Sequence, residues 1–260
     1  MKLDGILKGM KFQKYMKEPL VYQKNEGANL LILAIYVDDL FVMGTSLSMI
    51  KRFKMEMSKN FEMLDLGRLT YYLGIEVKHE ESGITINQEA YAQRILKEAG
   101  LHDCNLTHIL MEHGNKISKA KDELEIDATQ YRKVVGCLRY FLQTRPDMTY
   151  VVVVVSRYMQ SPRESHDSAI KHILRYLRGT KGYKINYERM GKNQLIGYND
   201  ISHNVDLHDG KSTTGHTFYD GLSPITWCSQ SKILLLYHIV RRSSWRPRRP
   251  HIKRYGFKIC

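Results

Sequence analysis

This chain lacks paired cysteines, long apolar runs and, beyond Asp220, any acidic residue. Its four cysteines, Cys104, Cys137, Cys228 and Cys260, are scattered and form no C-x-x-C pair, which excludes a disulfide framework and implies reduced thiols. His102, Cys104, His108 and His113 lie near one another, but their spacing fits no common zinc-ligand pattern. The longest apolar runs stop at Asp38 and Ser156, short of the roughly 20 residues that cross a bilayer. Met1-Lys2-Leu3-Asp4-Gly5 is not the start of a secretory signal. An intracellular protein with no membrane association is therefore expected, in the cytoplasm or the nucleus. The absence of late acids also explains the charge. Of the net +13, nine positive charges fall between Gly221 and Cys260, which leaves +4 for the first 220 residues. The body is mildly basic, and most of the electrostatic footprint belongs to a tail.

At 260 residues, 43% hydrophobic and 26% charged, the chain has room for one large core or two modest ones and is not a disordered composition. It is organised around Leu30 to Gly44. Seven residues from Leu30 through Tyr36 form an apolar run, Asp38 and Asp39 interrupt it, and Leu40-Phe41-Val42-Met43 follow. This reads as strand, tight turn, strand, and apolar residues at consecutive positions predict a first strand covered on both faces. Adjacent carboxylates repel. A rigid support that presents both suits a bridging cation, magnesium above others, whereas Asp at a turn is also ordinary turn chemistry.

Around this hairpin, a helix or irregular segment and a strand near Leu20 to Gln23 precede it. A helix capped by Thr45 or Ser46 follows, with Leu47, Ile50, Phe53, Met57 and Phe61 on one face. A second hairpin covers Leu73 to Ile86, and Asn87 is expected to cap a helix that runs to Ala99. Leu101 to Ala128 is polar and aperiodic, so a loosely packed connection is predicted. Helices are predicted from Ala128 to Leu142 and from His166 to Arg178, the second stopped by Gly179. Val151 to Val155 has strand propensity, yet Pro146 suits a helix first turn. Short strands begin at Ile185, where a second β-containing unit is predicted.

Six blocks, in order, resemble Ty1/copia-type retrotransposon polyproteins over their reverse transcriptase and the start of ribonuclease H. They are Tyr36-Val37-Asp38-Asp39, Leu66 through Val77, Tyr131 through Gly136, Thr144-Arg145-Pro146-Asp147, Leu174 through Thr180, and Gly210 through Gly215. The resemblance runs from near residue 1 to about Gln230. It implies an α+β chain: a partial polymerase palm over 1–100, a helical thumb and connection over 101–183, and a truncated ribonuclease H-like α/β unit over 184–230. An aberrant basic tail occupies 231–260. It also implies helix at Val151 to Val155.

The implied activity is RNA-directed DNA synthesis on an RNA template and DNA primer, with Mg2+ held by three carboxylates. Asp38 would be the direct ligand, Asp39 the second carboxylate, and Tyr36 and Val37 the floor beneath the primer end. Asp200, in Tyr198-Asn199-Asp200, would be the first metal-binding carboxylate of ribonuclease H. The chain departs from the family twice. Before Asp38 the only acids are Asp4, Glu18 and Glu26, none in an apolar strand, so the fingers and the third palm carboxylate are expected to be missing. After Gln230 the similarity stops, and the later ribonuclease H acids have no counterpart. A catalytically incomplete fragment is the expectation. The alternative is a noncatalytic nucleic-acid-binding protein that uses the thumb remnant and the basic tail.

Overall fold

Apolar runs between Val21 and Gly44, broken at Gly27 and at Val37-Asp38, form an antiparallel meander, and the amphipathic segments on either side of it cover one of its faces. The computed structural model describes residues 2–111, 117–189, 194–202, 212–232 and 258–259. The chain divides into two compact units, Met1–Leu69 with Arg246–Cys260, and Thr70–Trp245. Apart from residues 231–232 and 258–259, the predicted tail lies outside the described residues.

The first unit contains helix α1 (Lys2–Gly9), strands β1 (Gln13–Lys14), β2 (Val21–Glu26), β3 (Asn29–Tyr36) and β4 (Asp39–Gly44), and helix α2 (Leu47–Ser58). Strands β1 to β4 are neighbours in sequence order, and Lys258–Ile259 pairs with the end of β4. Leu31 and Leu33 of β3 bury against Leu7 of α1 and Met49, Ile50, Phe53 and Met57 of α2. Ile32 and Ala34, on the opposite face, are only half-buried. The expected two-sided cover of β3 is thus corrected: both helices pack on the Leu31–Leu33 side, and an apolar run records burial propensity without saying which element covers it. Leu47 also departs from the predicted stripe. It begins α2 and is 50% exposed, and Met49 fills the core instead. Ser46 occupies the N-cap position without a side-chain cap, while Thr45 Oγ1 accepts a hydrogen bond from Leu30 N at 2.9 Å. The cations of α2 form exposed ion pairs, Lys54 with Asp65, Lys59 with Glu56, and Arg52 with Glu26.

The second unit holds β5 (Tyr71–Tyr72), β6 (Ile75–His79), β7 (Gly83–Asn87), α3 (Glu89–Glu98), α4 (Ala128–Phe141), a 3-10 turn (Pro146–Met148), α5 (Thr149–Ser156) and α6 (Glu164–Thr180). After these come β8 (Ile185–Glu188), β9 (Leu195–Ser202), β10 (Ser212–Asp220) and β11 (Ser223–Lys232). Its core joins Ile95 and Leu96 of α3 to Val135 and Leu138 of α4, Val152 and Val155 of α5, and Ile173, Leu174 and Leu177 of α6. The valine run is helical. Val151, Val152, Val154 and Val155 are all buried, and a helix apolar on every side belongs inside a bundle whatever its strand propensity.

Four further expectations are corrected in this unit. Asn87 ends β7 and is buried, so Gln88 takes the N-cap position of α3. Ile185–Glu188 does not begin a separate sheet. It pairs antiparallel with β7, so the four strands β5-β6-β7-β8 form one sheet and β9-β10-β11 another. Gly179 lies inside α6 and does not stop it; a Cβ there would lie 3.4 Å from Thr107 O, so the glycine admits the passing 106–107 backbone.

Finally, part of the segment predicted to be loose is tied down. Tyr158 Oη donates to Ile117 O at 2.8 Å, Ser165 N to Glu123 Oε2 at 2.8 Å, and Ile126 N to Pro162 O at 3.2 Å. His166 anchors the same segment: its Nδ1 accepts from Arg163 N at 2.8 Å and its Nε2 lies 2.7 Å from Ser118 O. Burial pushes the His166 imidazole below its ordinary pKa, in keeping with a neutral ring that donates through Nε2. Polar residues without periodicity find partners here in the α5–α6 connection, which no local pattern announces.

Candidate functional site

The β3–β4 register pairs Tyr36 with Asp39 and leaves Val37 and Asp38 as a two-residue turn. Such turns favour positive φ because that backbone matches the twist of the flanking strands, and glycine, asparagine or aspartate normally supplies it. Here Val37 does so, at φ +51. A β-branched residue in the left-handed region is strained, by about 1–3 kcal/mol, and such strain gathers at functional turns. Val37 is also 81% exposed and Tyr36 45% exposed, so core packing does not explain either. Replacing Val37 by Gly is expected to stabilise the first unit by about 1 kcal/mol while loosening the tip. Urea unfolding of the variant checks this, and a destabilised variant would show that the side chain contributes more than it costs.

Asp38 and Asp39 are both exposed at this tip, and among the described residues neither forms an ion pair. Carboxylates held side by side on a firm hairpin, and not neutralised by lysine or arginine, are suited to a hard divalent cation. Among the described residues no group of three metal-ligating side chains occurs. The donor set fits magnesium as an open site, in which one or two carboxylates bind the ion and substrate phosphates or water complete its shell. The other acids before Asp38 are engaged locally. Asp4 accepts from Tyr22 Oη at 2.9 Å and pairs with Lys8 at 2.8 Å, and the Lys8 hydrogen bond holds its carboxyl below the ordinary range. Glu26 pairs with Lys24 at 2.8 Å and with Arg52, and Glu18 lies 3.5 Å from Leu20 N.

Asp200 belongs to the second unit. It lies in β9, paired with Gly215 of β10, and is exposed. The β9–β11 meander is tied to the helices by Trp227 Nε1, which donates to Leu142 O at 2.9 Å, and by a hydrogen bond from Arg157 to Thr213. Of His102, Cys104, His108 and His113, whose spacing fits no zinc pattern, His113 lies outside the described residues, and His102 faces Asp103 at 2.8 Å.

Arg145 and Asp147 stand in one of the family-like blocks, and the sequence assigns them no role. Arg145 is 2% exposed and grips Asp147 through two parallel bonds, Nε to Oδ1 at 2.9 Å and Nη2 to Oδ2 at 2.7 Å. Nη1 donates to Thr180 O at 3.0 Å, Nη2 also donates to Thr180 Oγ1 at 2.8 Å, and Tyr176 Oη donates to Asp147 Oδ2 at 3.0 Å. Arginine two residues before aspartate, flanking a proline that starts a 3-10 turn, was the available signal. The receiving end, Thr180, is 35 residues away from Arg145.

A family profile described as "Reverse transcriptase (RNA-dependent DNA polymerase)" matches residues 1–113. The chain is 32% identical over 244 residues to the retrovirus-related Pol polyprotein from transposon TNT 1-94 of Nicotiana tabacum, covering 90% of this chain and 18% of that protein. An uncharacterized mitochondrial protein of Arabidopsis thaliana is 31% identical over 202 residues, covering 77% of this chain and 83% of that protein. A Saccharomyces cerevisiae protein named for transposon Ty5-1 is 29% identical over 231 residues, covering 88% and 75%. No solved structure matches. The chain belongs to the Ty1/copia-type retrotransposon polyprotein family and carries reverse transcriptase sequence. It spans less than a fifth of the length of the plant Pol polyproteins it matches.

Proposed function

We propose that the β3–β4 hairpin is the metal-binding turn of a reverse transcriptase palm, and that the chain acts on an RNA template and DNA primer. The observation that carries this reading is the Tyr36–Asp39 turn: two exposed carboxylates, free of ion pairs among the described residues, behind a valine at φ +51. Asp38 and Asp39 would hold magnesium, and the ion would activate the primer hydroxyl and stabilise charge on the nucleotide phosphates. Tyr36 and Val37, exposed at the same tip, would support the primer end. The helices α4 to α6 would serve as thumb and connection and hold the backbone of the A-form hybrid. The β9–β11 meander, with Asp200 exposed on it, is compatible with the opening strands of a ribonuclease H unit.

In this reading two palm carboxylates come together at the turn, while Asp4 and Glu26 are committed to Lys8, Tyr22, Lys24 and Arg52 and Glu18 lies in no apolar strand. The chain alone is therefore expected to have no primer-extension activity. Magnesium-dependent extension that disappears in Asp38→Asn would overturn this. Metal placement has its own readout. With Fe2+ in place of magnesium, hydroxyl-radical cleavage of the protein should cluster around residues 36–40, fade with excess Mg2+ and be lost in Asp38→Asn. Cleavage indifferent to that substitution would remove the hairpin as the metal site.

A further inference from the structure

We propose that the C-terminal half of α6 and the cleft beside it form a track for a single nucleic-acid strand, with a base stacked on Tyr183 and phosphates on Arg175, Arg178, Lys181 and Lys184. The class of partner rests on the nucleic-acid reading above; the location rests on the second unit alone. Four cations follow one another at steps of three residues, and among the described residues none of them forms an ion pair. Lys171, one turn earlier, is committed to Asp167 at 2.7 Å, which marks where the available charge begins. Side chains three apart on a helix lie about 5–6 Å from one another, so Arg175 and Arg178 share a face. Cations near a helix C-terminus are favoured by the helix dipole alone, which accounts for Arg178 and Lys181 but not for Lys184 beyond the helix or for an exposed aromatic ring next to it.

That ring is Tyr183, 56% exposed, at a cleft of about 350 Å3 whose lining includes Arg145, Asp147, Tyr176, Lys184 and Asn186. The Arg145 guanidinium lies 5.1 Å from the Tyr183 ring centre and fixes the ring from within. A firm, solvent-accessible aromatic with a cation beside it, here Lys184, and further cations along the helix that leads to it is an arrangement by which proteins bind single strands without reading sequence. The charges that line the cleft do not compete for phosphate or metal: every nitrogen of the buried Arg145 donates within the protein, and the exposed Asp147 is paired with it. Exposed Asn186 offers a donor and an acceptor to a base edge, while Glu188, also lining the cleft, disfavours phosphate on the β8 side and leaves it the α6 side.

Fluorescence anisotropy of the full chain with labelled oligo-dT and oligo-U of about 12 nucleotides, within the site size of single-strand binders, tests this. Tyr183→Ala is expected to weaken binding about tenfold, whereas Tyr183→Trp retains it, because stacking needs a ring and not the hydroxyl. The double variant Arg175→Ala/Lys184→Ala is expected to lower the slope of log K against log salt by about 1.4, measured between about 50 and 200 mM salt. Equal affinity for wild type and Tyr183→Ala, at equal melting temperature, overturns the track. If the wild type binds an RNA–DNA hybrid but no single strand, the track is likewise overturned while the polymerase reading stands. If it binds single strands through Tyr183 but no hybrid, the polymerase reading loses its substrate and the track survives.

Discussion

Arg145→Ala is expected to destabilise the second unit by about 2–3 kcal/mol, since it removes a buried guanidinium with its charged hydrogen bonds, while the exposed Asp147 carboxylate can turn to water. The guanidinium makes four hydrogen bonds and lies among the rings of Phe141, Tyr176 and Tyr183 at 5.1–5.6 Å. It links the 3-10 turn after α4 to the last residue of α6, two elements that the core alone joins less specifically. Urea unfolding followed by the fluorescence of Trp227, which is bonded to Leu142 O, would report the loss. Arg145→Lys should recover only part of it, because an ammonium cannot form the parallel bonds to Asp147 and reach Thr180 together. A change below about 1 kcal/mol would show that the pair merely offsets its own desolvation.

The same pair sets an acid limit. Burial pushes the Asp147 carboxyl up, but the Arg145 hydrogen bonds and charge, with Tyr176 Oη, outweigh it and hold the group below its ordinary value of 3.8. A carboxyl lowered by folding contributes stability that is present above its unfolded pKa and lost as pH falls through the folded one. The stability gap between wild type and Asp147→Asn should therefore be full at neutral pH and close only below pH 3.8.

Gly83→Ala is expected to cost about 3 kcal/mol through overpacking against backbone. A Cβ on Gly83 would stand 2.0 Å from Tyr187 O and 3.1 Å from Glu188 Cα, so β8 cannot keep its register with β7. No flexible side chain is available to yield. Ile185, buried beside the same strand pair, would be drawn out with β8. Hydrogen exchange at the amides of residues 185–188 should accelerate more than exchange in α4, and the urea midpoint should fall. Unchanged protection in β8 would mean that the strands absorb the methyl group by a shift along the sheet.

The sequence by itself determined the local elements and the family. The apolar runs on either side of Asp38 and Asp39 made the hairpin and put these carboxylates at its tip, because a strand-length run and a two-residue turn are local properties of the chain. The three-and-four spacing of Ile50, Phe53 and Met57, and of Ile170, Ile173, Leu174 and Leu177, likewise marked the buried faces of α2 and α6. Ordered blocks such as Tyr36-Val37-Asp38-Asp39 and Thr144-Arg145-Pro146-Asp147 identified the retrotransposon family. Tertiary structure alone decided what depends on neighbours distant in sequence. It supplied the reason for the helix that the family resemblance implies at Val151 to Val155, since the surrounding α4 and α6 cover its valines. It joined Ile185–Glu188 to a strand about a hundred residues earlier, tied residues 117–126 onto the α5–α6 connection, and left one face of β3 half-open. It also gave Arg145 and Asp147 their partners and placed Tyr183 at the mouth of a cleft. Patterns record which residues avoid water; which surfaces shield them, and which polar groups find each other, is fixed only when the chain closes on itself.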